Sequence, residues 1–551
     1  MAIERSGAAV LVEGLERWGM DTFFGLPGVH LDSLFDALYG VQDRMRIIHS
    51  RHEQGAAYMA FGSAMATGKP SAFAVVPGPG FLNATAAMST AYACNAPVLC
   101  IIGTVVKPLL DRGYGALHEL PDQSGMVQRL TKWSARVEKA SDMTAMVDEA
   151  FYHMLSGRPR PVALEIAPEV FAERGMWPDY GFKPEITAGP IDPAELARAV
   201  ELVRGARSPM IVVGGGAQHA GAEVRALAER IGAPVVSRQM GRGILPDDHP
   251  LSIRAGAANA LWAKADVVIG IGTRLGQLRE WGHDDALKVI RIDADPDELY
   301  RVAVPAVGLV TDSAVGAAAL VEALNGYNGA PADPLPIAEA ETEFDAAIER
   351  DVPLQKAYMD VIREMLPADG VLVDEITQVG HAAKLTSNFQ RPRSLITSGY
   401  QGTLGYGYAT ALGAQAGAKD RVVISINGDG GLLYTIGEMA TAVQHGIPLV
   451  AIVFNDNCFG NVQVIQKRWY GDRVIATDLH NPDFVKLADS FGLLALRTDS
   501  PYGLREALRT AIDSRRPTLI EVPIAKEAMG WVWDLIIPKK VRGPGAGASA
   551  H

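Results

Sequence analysis

RVVISINGDGGLLYTIGEMATAVQHGIPLVAIVFNDNC, residues 421–458, decides the fold class. The run Val422, Val423, Ile424, Ile426 is short, apolar and β-branched, and it reads as a buried strand ending in Gly428-Asp429-Gly430-Gly431. YTIGEMATAVQHG carries a helical pattern, and PLVAIVF is a second strand that ends in Asn455-Asp456-Asn457-Cys458. A strand, a helix and a strand in this order predict a parallel pair with a crossover helix. Asp429 and Asp456 then stand at carboxyl ends of strands, where open α/β sheets bind ligands. They are 27 positions apart, about one such unit, so both can face one site.

The same rhythm runs outward in both directions. TFFGLP, MRIIHS, SAFAVVPG and PVLCIIGT occur within the first 105 residues. The middle opens with PMIVVGGGAQHAGAEVRALAERIG and continues with APVVS, ADVVIGIGTRLG and KVIRIDAD. At 551 residues the chain is too long for one hydrophobic core. Polar, Pro-rich stretches near 173–193 and 327–354, the second with an acidic helix between YNGAPADPLP and DVPLQ, read as linkers. They divide the chain into blocks at 1–175, 190–330 and 355–530, followed by a tail, 531–551, expected to be mobile at its end. The expectation is an α/β protein of three doubly wound parallel-sheet domains.

Several function classes are excluded. The net charge is −12 with no basic stripe, which argues against nucleic acid as a partner. No run approaches 18 uninterrupted apolar residues, so no membrane span is predicted. The N-terminus carries Glu4, Glu13 and Glu16 within its apolar pattern and reads as an amphipathic helix, not a secretory leader. Cys94, Cys100 and Cys458 form no C-x-x-C pair, which fits a reducing compartment such as the cytoplasm.

The residue types at 428–458 suit a diphosphate and a hard cation. Glycines let backbone N–H groups approach phosphate closely, and a helix N-terminus adds partial positive charge. Mg²⁺ takes oxygen ligands, typically one or two carboxylates plus phosphate oxygens and water. Asp429 and Asp456 would supply carboxylates, and the Cys458 carbonyl a third oxygen. The bland alternative is an Asp-capped turn and an unrelated NDN turn.

Gly-Asp-Gly followed at this spacing by an Asn-Asn-like pair resembles the thiamine-diphosphate signature of the acetolactate synthase, pyruvate decarboxylase and benzoylformate decarboxylase superfamily, and the resemblance runs from end to end. The chain departs at Asp456, where most members have Asn. By this resemblance Gly428, Asp429, Gly430, Gly431 and Asp456 bind the cofactor, and Asp429, Asp456 and Cys458 hold Mg²⁺. Glu53, within His52-Glu53-Gln54-Gly55-Ala56, would hydrogen-bond N1′ of the aminopyrimidine and so promote loss of the thiazolium C2 proton. Read alone, Glu53 is a carboxylate at a helix start, worth roughly 0.3–1 kcal/mol. In Ser398–Gly405, Leu404 matches the bulky residue under the bent cofactor, and the Gly402 carbonyl would accept from the 4′-amino group. Ile376, Thr377 and Gln378 would line the diphosphate. Pro27 and Gly28, in F-G-L-P-G, and Asn83, in G-P-G-F-L-N, would border the reacting carbon.

His118, in G-A-L-H-E, takes a place usually held by Gln in acetolactate synthase. It is either a catalytic proton carrier or an ordinary loop histidine. Ile465 stands where a Trp would help select a second oxo acid. The expected reaction is decarboxylation of a 2-oxo acid with or without acyl transfer, by a homodimer or homotetramer with active sites between subunits. The rival is a 2-hydroxyacyl-CoA or oxalyl-CoA lyase acting on an acyl-CoA, with Arg254, Arg274 and Arg279 as candidates for the nucleotide phosphate. Residues 251–259 lack the loop that binds FAD in several relatives, so FAD is not expected, and Gly214-Gly215-Gly216 alone does not restore it.

Overall fold

A computed structural model describes residues 4–544 and 546, apart from 328, 387 and 538. Three six-stranded sheets, all parallel, form the three domains. The N-terminal sheet uses Thr22–Gly25, Arg46–His49, Ser71–Val75, Val98–Gly103, Trp133–Val137 and Val162–Ile166. Numbered by sequence within the domain, its strands lie in the order 2-1-3-4-6-5. The C-terminal sheet uses Val371–Asp374, Leu395–Ile396, Val423–Gly428, Val450–Asn455, Leu494–Arg497 and Thr518–Pro523, in the same order. The central sheet uses Pro209–Val213, Val235–Ser237, Ser252–Arg254, Val267–Ile271, Lys288–Asp293 and Val307–Val310, in the order 3-2-1-4-5-6. The strands 71–75, 98–103 and 423–427 are buried throughout, as expected where helices cover both faces.

In both outer domains a helix of small residues follows the second strand, Glu53–Thr67 in one and Gly407–Gly417 in the other. The two pack on each other, which explains why they are apolar all round. A Cβ at Gly62 would lie 1.9 Å from the Thr410 carbonyl oxygen, and one at Gly413 1.9 Å from that of Met59. The two outer domains therefore meet backbone to backbone.

The segments between domains carry structure of their own, including the acidic helix expected near 327–354. Arg174–Gly175 pairs antiparallel with Arg5–Ser6, and the Trp177 indole donates to the Arg5 carbonyl at 2.8 Å. Around 327–354, Ile337–Asp351 is a helix whose Phe344 closes over Gly256 of the central domain. DVPLQ opens the next helix, Pro353–Met365, because proline suits a first turn. The C-terminal tail crosses to the central domain, where the Val541 N–H donates to the Trp281 carbonyl at 2.9 Å and Asn259 donates to that of Lys539. The tail end expected to be mobile, 547–551, lies outside the described residues. No described helix is long and apolar enough to cross a membrane.

Candidate active site

In the C-terminal domain the loops after the first four strands converge. The strand Val423–Gly428 runs into the short helix Asp429–Leu432, and its neighbour Val450–Asn455 delivers Asp456 beside it. Asp429 is 3% exposed. Its Oδ1 accepts from the Gly430 N–H at 2.8 Å, and its Oδ2 from Asn481 Nδ2 at 2.7 Å. Asn481 also donates to Asn455 Oδ1 at 3.0 Å, tying both strand ends together. Burial, then the nearby Asp456, pushes the Asp429 carboxyl up to about 6. Burial also raises Asp456, whose Oδ1 accepts from the Cys458 N–H at 3.1 Å. A buried carboxyl beside a half-buried one favours a proton or a cation between them.

The donor set fits Mg²⁺. Among the described residues no cluster of three or more His, Cys, Asp or Glu side chains could hold a metal. Two carboxylates and a main-chain carbonyl leave positions for phosphate oxygens and water, the usual arrangement for this ion. The Cys458 thiol is pushed up to about 12, mainly by burial.

Thr377 and Gln378 follow the first strand. Thr377 Oγ1 accepts from the Gly380 N–H at 2.8 Å, and a Cβ at Gly428 would lie 3.1 Å from its methyl. Gln378 Nε2 donates to Asn461 Oδ1 at 2.6 Å, while its buried Oε1 has no partner. Gly402 has a left-handed φ of +57° and nothing within 4 Å of a Cβ placed on it, so this turn faces open space. Leu404 beside it is half-buried. Behind these loops lies Glu375, 1% exposed, with its carboxyl raised to about 8 by burial. Glu375 accepts from the Gly405 N–H, and a Cβ at Gly431 would lie 2.2 Å from its Oε1. Gly431 is therefore dictated by a glutamate that the sequence reading did not single out.

The N-terminal domain furnishes the same edge differently. Glu53 opens the helix after the second strand, and Asn83 Nδ2 donates to its Oε2 at 3.0 Å. Gly80, in the turn after the third strand, leaves its Oε1 uncovered; a Cβ there would approach to 3.5 Å. Pro27 is exposed after the first strand, and Gly28 packs on Val76. His118 has a left-handed φ of +63°, and its carbonyl presses on Gly78 of the same Gly-Pro-Gly turn. Its ring stacks on His30 with centroids 5.2 Å apart. Nδ1 of both rings is buried without a partner, and burial, then His118, lowers His30. His30 was missed in the sequence; its signal was its place two residues after the Pro-Gly turn.

Each edge ties its carboxylate within its own domain: Glu53 accepts from Asn83, and Asp429 accepts from Asn481. Each edge carries exposed apolar side chains, Val29, Leu82 and Leu117 on one and Tyr400, Tyr434 and Val462 on the other. The central domain is different again. Gly214 and Gly216 pack against Gly272 and Thr273, so those glycines serve close backbone contact within the domain. Arg254 is neutralised by Glu341 and by Asp345 at 2.6 Å. Arg274 lies over the Tyr400 ring at 4.2 Å. Arg279 is largely exposed. A cleft of about 870 Å³ opens instead among Arg238, Trp281, Lys384, Arg468 and Trp531.

Three family models match the chain in succession. They are the thiamine pyrophosphate enzyme N-terminal TPP binding domain over residues 5–126, the central domain over 196–323 and the C-terminal TPP binding domain over 375–522. The chain is 33% identical to a "probable 2-ketoarginine decarboxylase" of Pseudomonas aeruginosa, over 93% of each chain. It is 32% identical to a "probable acetolactate synthase large subunit" of Methanocaldococcus jannaschii, over 94% of this chain and 92% of the relative. An acetolactate synthase of Arthrospira platensis is 30% identical over 96% and 95%.

Proposed function

Since the chain belongs to the thiamine pyrophosphate enzyme family, we propose that it is a Mg²⁺- and thiamine diphosphate-dependent enzyme that cleaves the C1–C2 bond of a 2-oxo acid, with or without acyl transfer to a second carbonyl. One observation carries the reading: a buried Asp429 and a half-buried Asp456 at adjacent strand ends over a glycine turn, matched by a tethered glutamate at the same edge of a domain with the same strand order. The relatives named as decarboxylase and acetolactate synthase support the substrate class.

The cofactor supplies the nucleophilic carbon, and the protein supplies grip, orientation and proton control. Asp429, Asp456 and the Cys458 carbonyl hold the cation, while the N–H groups of Gly430 and Gly431 and the side chains of Thr377 and Gln378 hold the diphosphate. Leu404 and the Gly402 carbonyl set the ring end. Glu53 carries a proton at the pyrimidine nitrogen, and Asn83 keeps its carboxyl oriented. His118 and His30 sit beside the same Gly-Pro-Gly turn and serve the substrate carbonyl as proton carriers.

Each edge being half a site, the working unit is a homodimer or a dimer of dimers in which Glu53 of one chain faces Asp429 of another. The exposed apolar rims on both edges support that pairing. No flavin enters this reading, and the free, buried cysteines suit a cytoplasmic setting. The acyl-CoA reading finds no support at Arg254, whose charge is already matched. The test is incubation with a panel of 2-oxo acids and acyl-CoAs, with thiamine diphosphate and Mg²⁺, read by mass spectrometry. CO₂ release with an aldehyde or acyloin product is expected; no product from any 2-oxo acid overturns the proposal.

A further inference from the structure

We infer that Glu438 is a positioning residue for Glu53: its buried carboxylate fixes the turn that presents Glu53 to the pyrimidine end of the cofactor. The assignment rests on the role proposed above for Glu53.

Glu438 opens the helix Glu438–Gln444, nine residues beyond Asp429 in the same domain, yet its side chain reaches the N-terminal domain. Its Oε1 accepts from the N–H groups of Arg51 and His52, both at 3.1 Å. These are the two residues immediately before Glu53. Its Oε2 accepts from Arg51 N at 3.2 Å and from Thr441 Oγ1 at 2.6 Å. Glu438 is 1% exposed, and every partner is a donor, so the pocket is built for an acceptor.

Three neighbouring contacts grip the turn and the strand that leads into it. Arg51 Nη2 donates to Gln444 Oε1 at 2.7 Å, Arg46 donates to the His445 carbonyl, and the His49 and His445 rings meet edge to face at 5.0 Å. Gly55 completes the fit. A Cβ there would stand 2.1 Å from Glu438 Oε1, so the first turn of the Glu53 helix closes on the carboxylate only because it lacks a side chain at that point.

Main-chain N–H groups facing a buried carboxylate form strong, directional bonds. Removing the acceptor frees the backbone at 51–52 and with it the starting direction of the helix that carries Glu53. Glu438 touches neither substrate nor cofactor in this account; it acts through Glu53.

The experiment uses the full-length holoenzyme with thiamine diphosphate and Mg²⁺. Deuterium exchange at the cofactor C2 is read by NMR after acid quench, beside steady-state kinetics, cofactor titration by tryptophan fluorescence and thermal melting. Glu438→Ala is expected to slow exchange and kcat together by about 100-fold, the cost of a reacting group displaced by about 1 Å, while KM and cofactor Kd stay within about threefold. Glu438→Gln keeps a carbonyl acceptor and is expected to restore exchange to within about tenfold of wild type. Gly55→Ala presses on the same contact from the other side and is expected to behave like Glu438→Ala. If Glu438→Ala does not fold, Gly55→Ala decides. Wild-type exchange in whichever of these variants folds overturns the assignment. Absence of exchange in the wild type overturns the proposed function, and this assignment with it.

Discussion

The N-terminal and C-terminal domains share the strand order 2-1-3-4-6-5, and in both the side chains of interest follow the first four strands. What stands there differs. The C-terminal edge is acidic and glycine-rich, with Asp429 and Asp456 over Gly428–Gly431. The N-terminal edge holds one glutamate on Asn83 and two stacked histidines. Topology supplies the place, and the loop residues supply the chemistry. The central sheet sharpens the point: in its 3-2-1-4-5-6 order, the glycine turn at the switch between adjacent first and fourth strands is closed by backbone packing.

If the two edges divide labour as grip and activation, damage to each should read out differently. Asp429→Ala strikes the grip and carries the largest effect. Cofactor affinity in a fluorescence titration with Mg²⁺ is expected to fall on the order of 100-fold or more, with turnover lost. Unchanged affinity would show that the acidic edge is not the cation site. Glu53→Gln strikes activation alone. Affinity should hold while kcat drops about 10²- to 10⁴-fold, the usual range for a lost proton carrier. Wild-type turnover would remove Glu53 from the chemistry.

His118→Asn and His30→Asn should each lower kcat by about 10- to 100-fold without weakening cofactor binding, with the double variant no worse than the poorer single one, because stacked rings act as a unit. Additive losses would separate them. The smallest effect belongs to Asp456→Asn. The Asp429 carboxyl, held at about 6, must be ionised to bind Mg²⁺, so cofactor binding should fade as pH drops through that value. Removing the Asp456 charge lowers the Asp429 pKa and should move the acid limb of binding to lower pH. A limb that stays put would mean the two carboxyls are not coupled.

Much of this was legible in the sequence, for a physical reason. A buried parallel strand must be an apolar run, and a loop that lets backbone approach a phosphate needs glycine, so 421–431 and 449–458 announce their place. Glu53 by its setting alone reads as a carboxylate at a helix start; its proposed role came only from the family resemblance of His52-Glu53-Gln54-Gly55-Ala56. Glu438 was not legible: its partners are 386 and 387 positions away, and locally it looks like any acid at a helix start. Asn481, bonded to Asp429 across 52 positions, and Glu375, one residue past a strand in a run of acids, are hidden in the same way. The first residues of the helix Pro353–Met365 read as linker because proline marks both a chain break and a first helical turn.

The reciprocal seating of Gly62 on Thr410 and of Gly413 on Met59 has a consequence for anyone recombining this chain with its relatives. A chimera that joins one parent's first domain to another's last must inherit both helices as a matched pair. A methyl added at Gly62 or Gly413 would meet the facing carbonyl at 1.9 Å, so neither helix can gain one at that point without the other shifting.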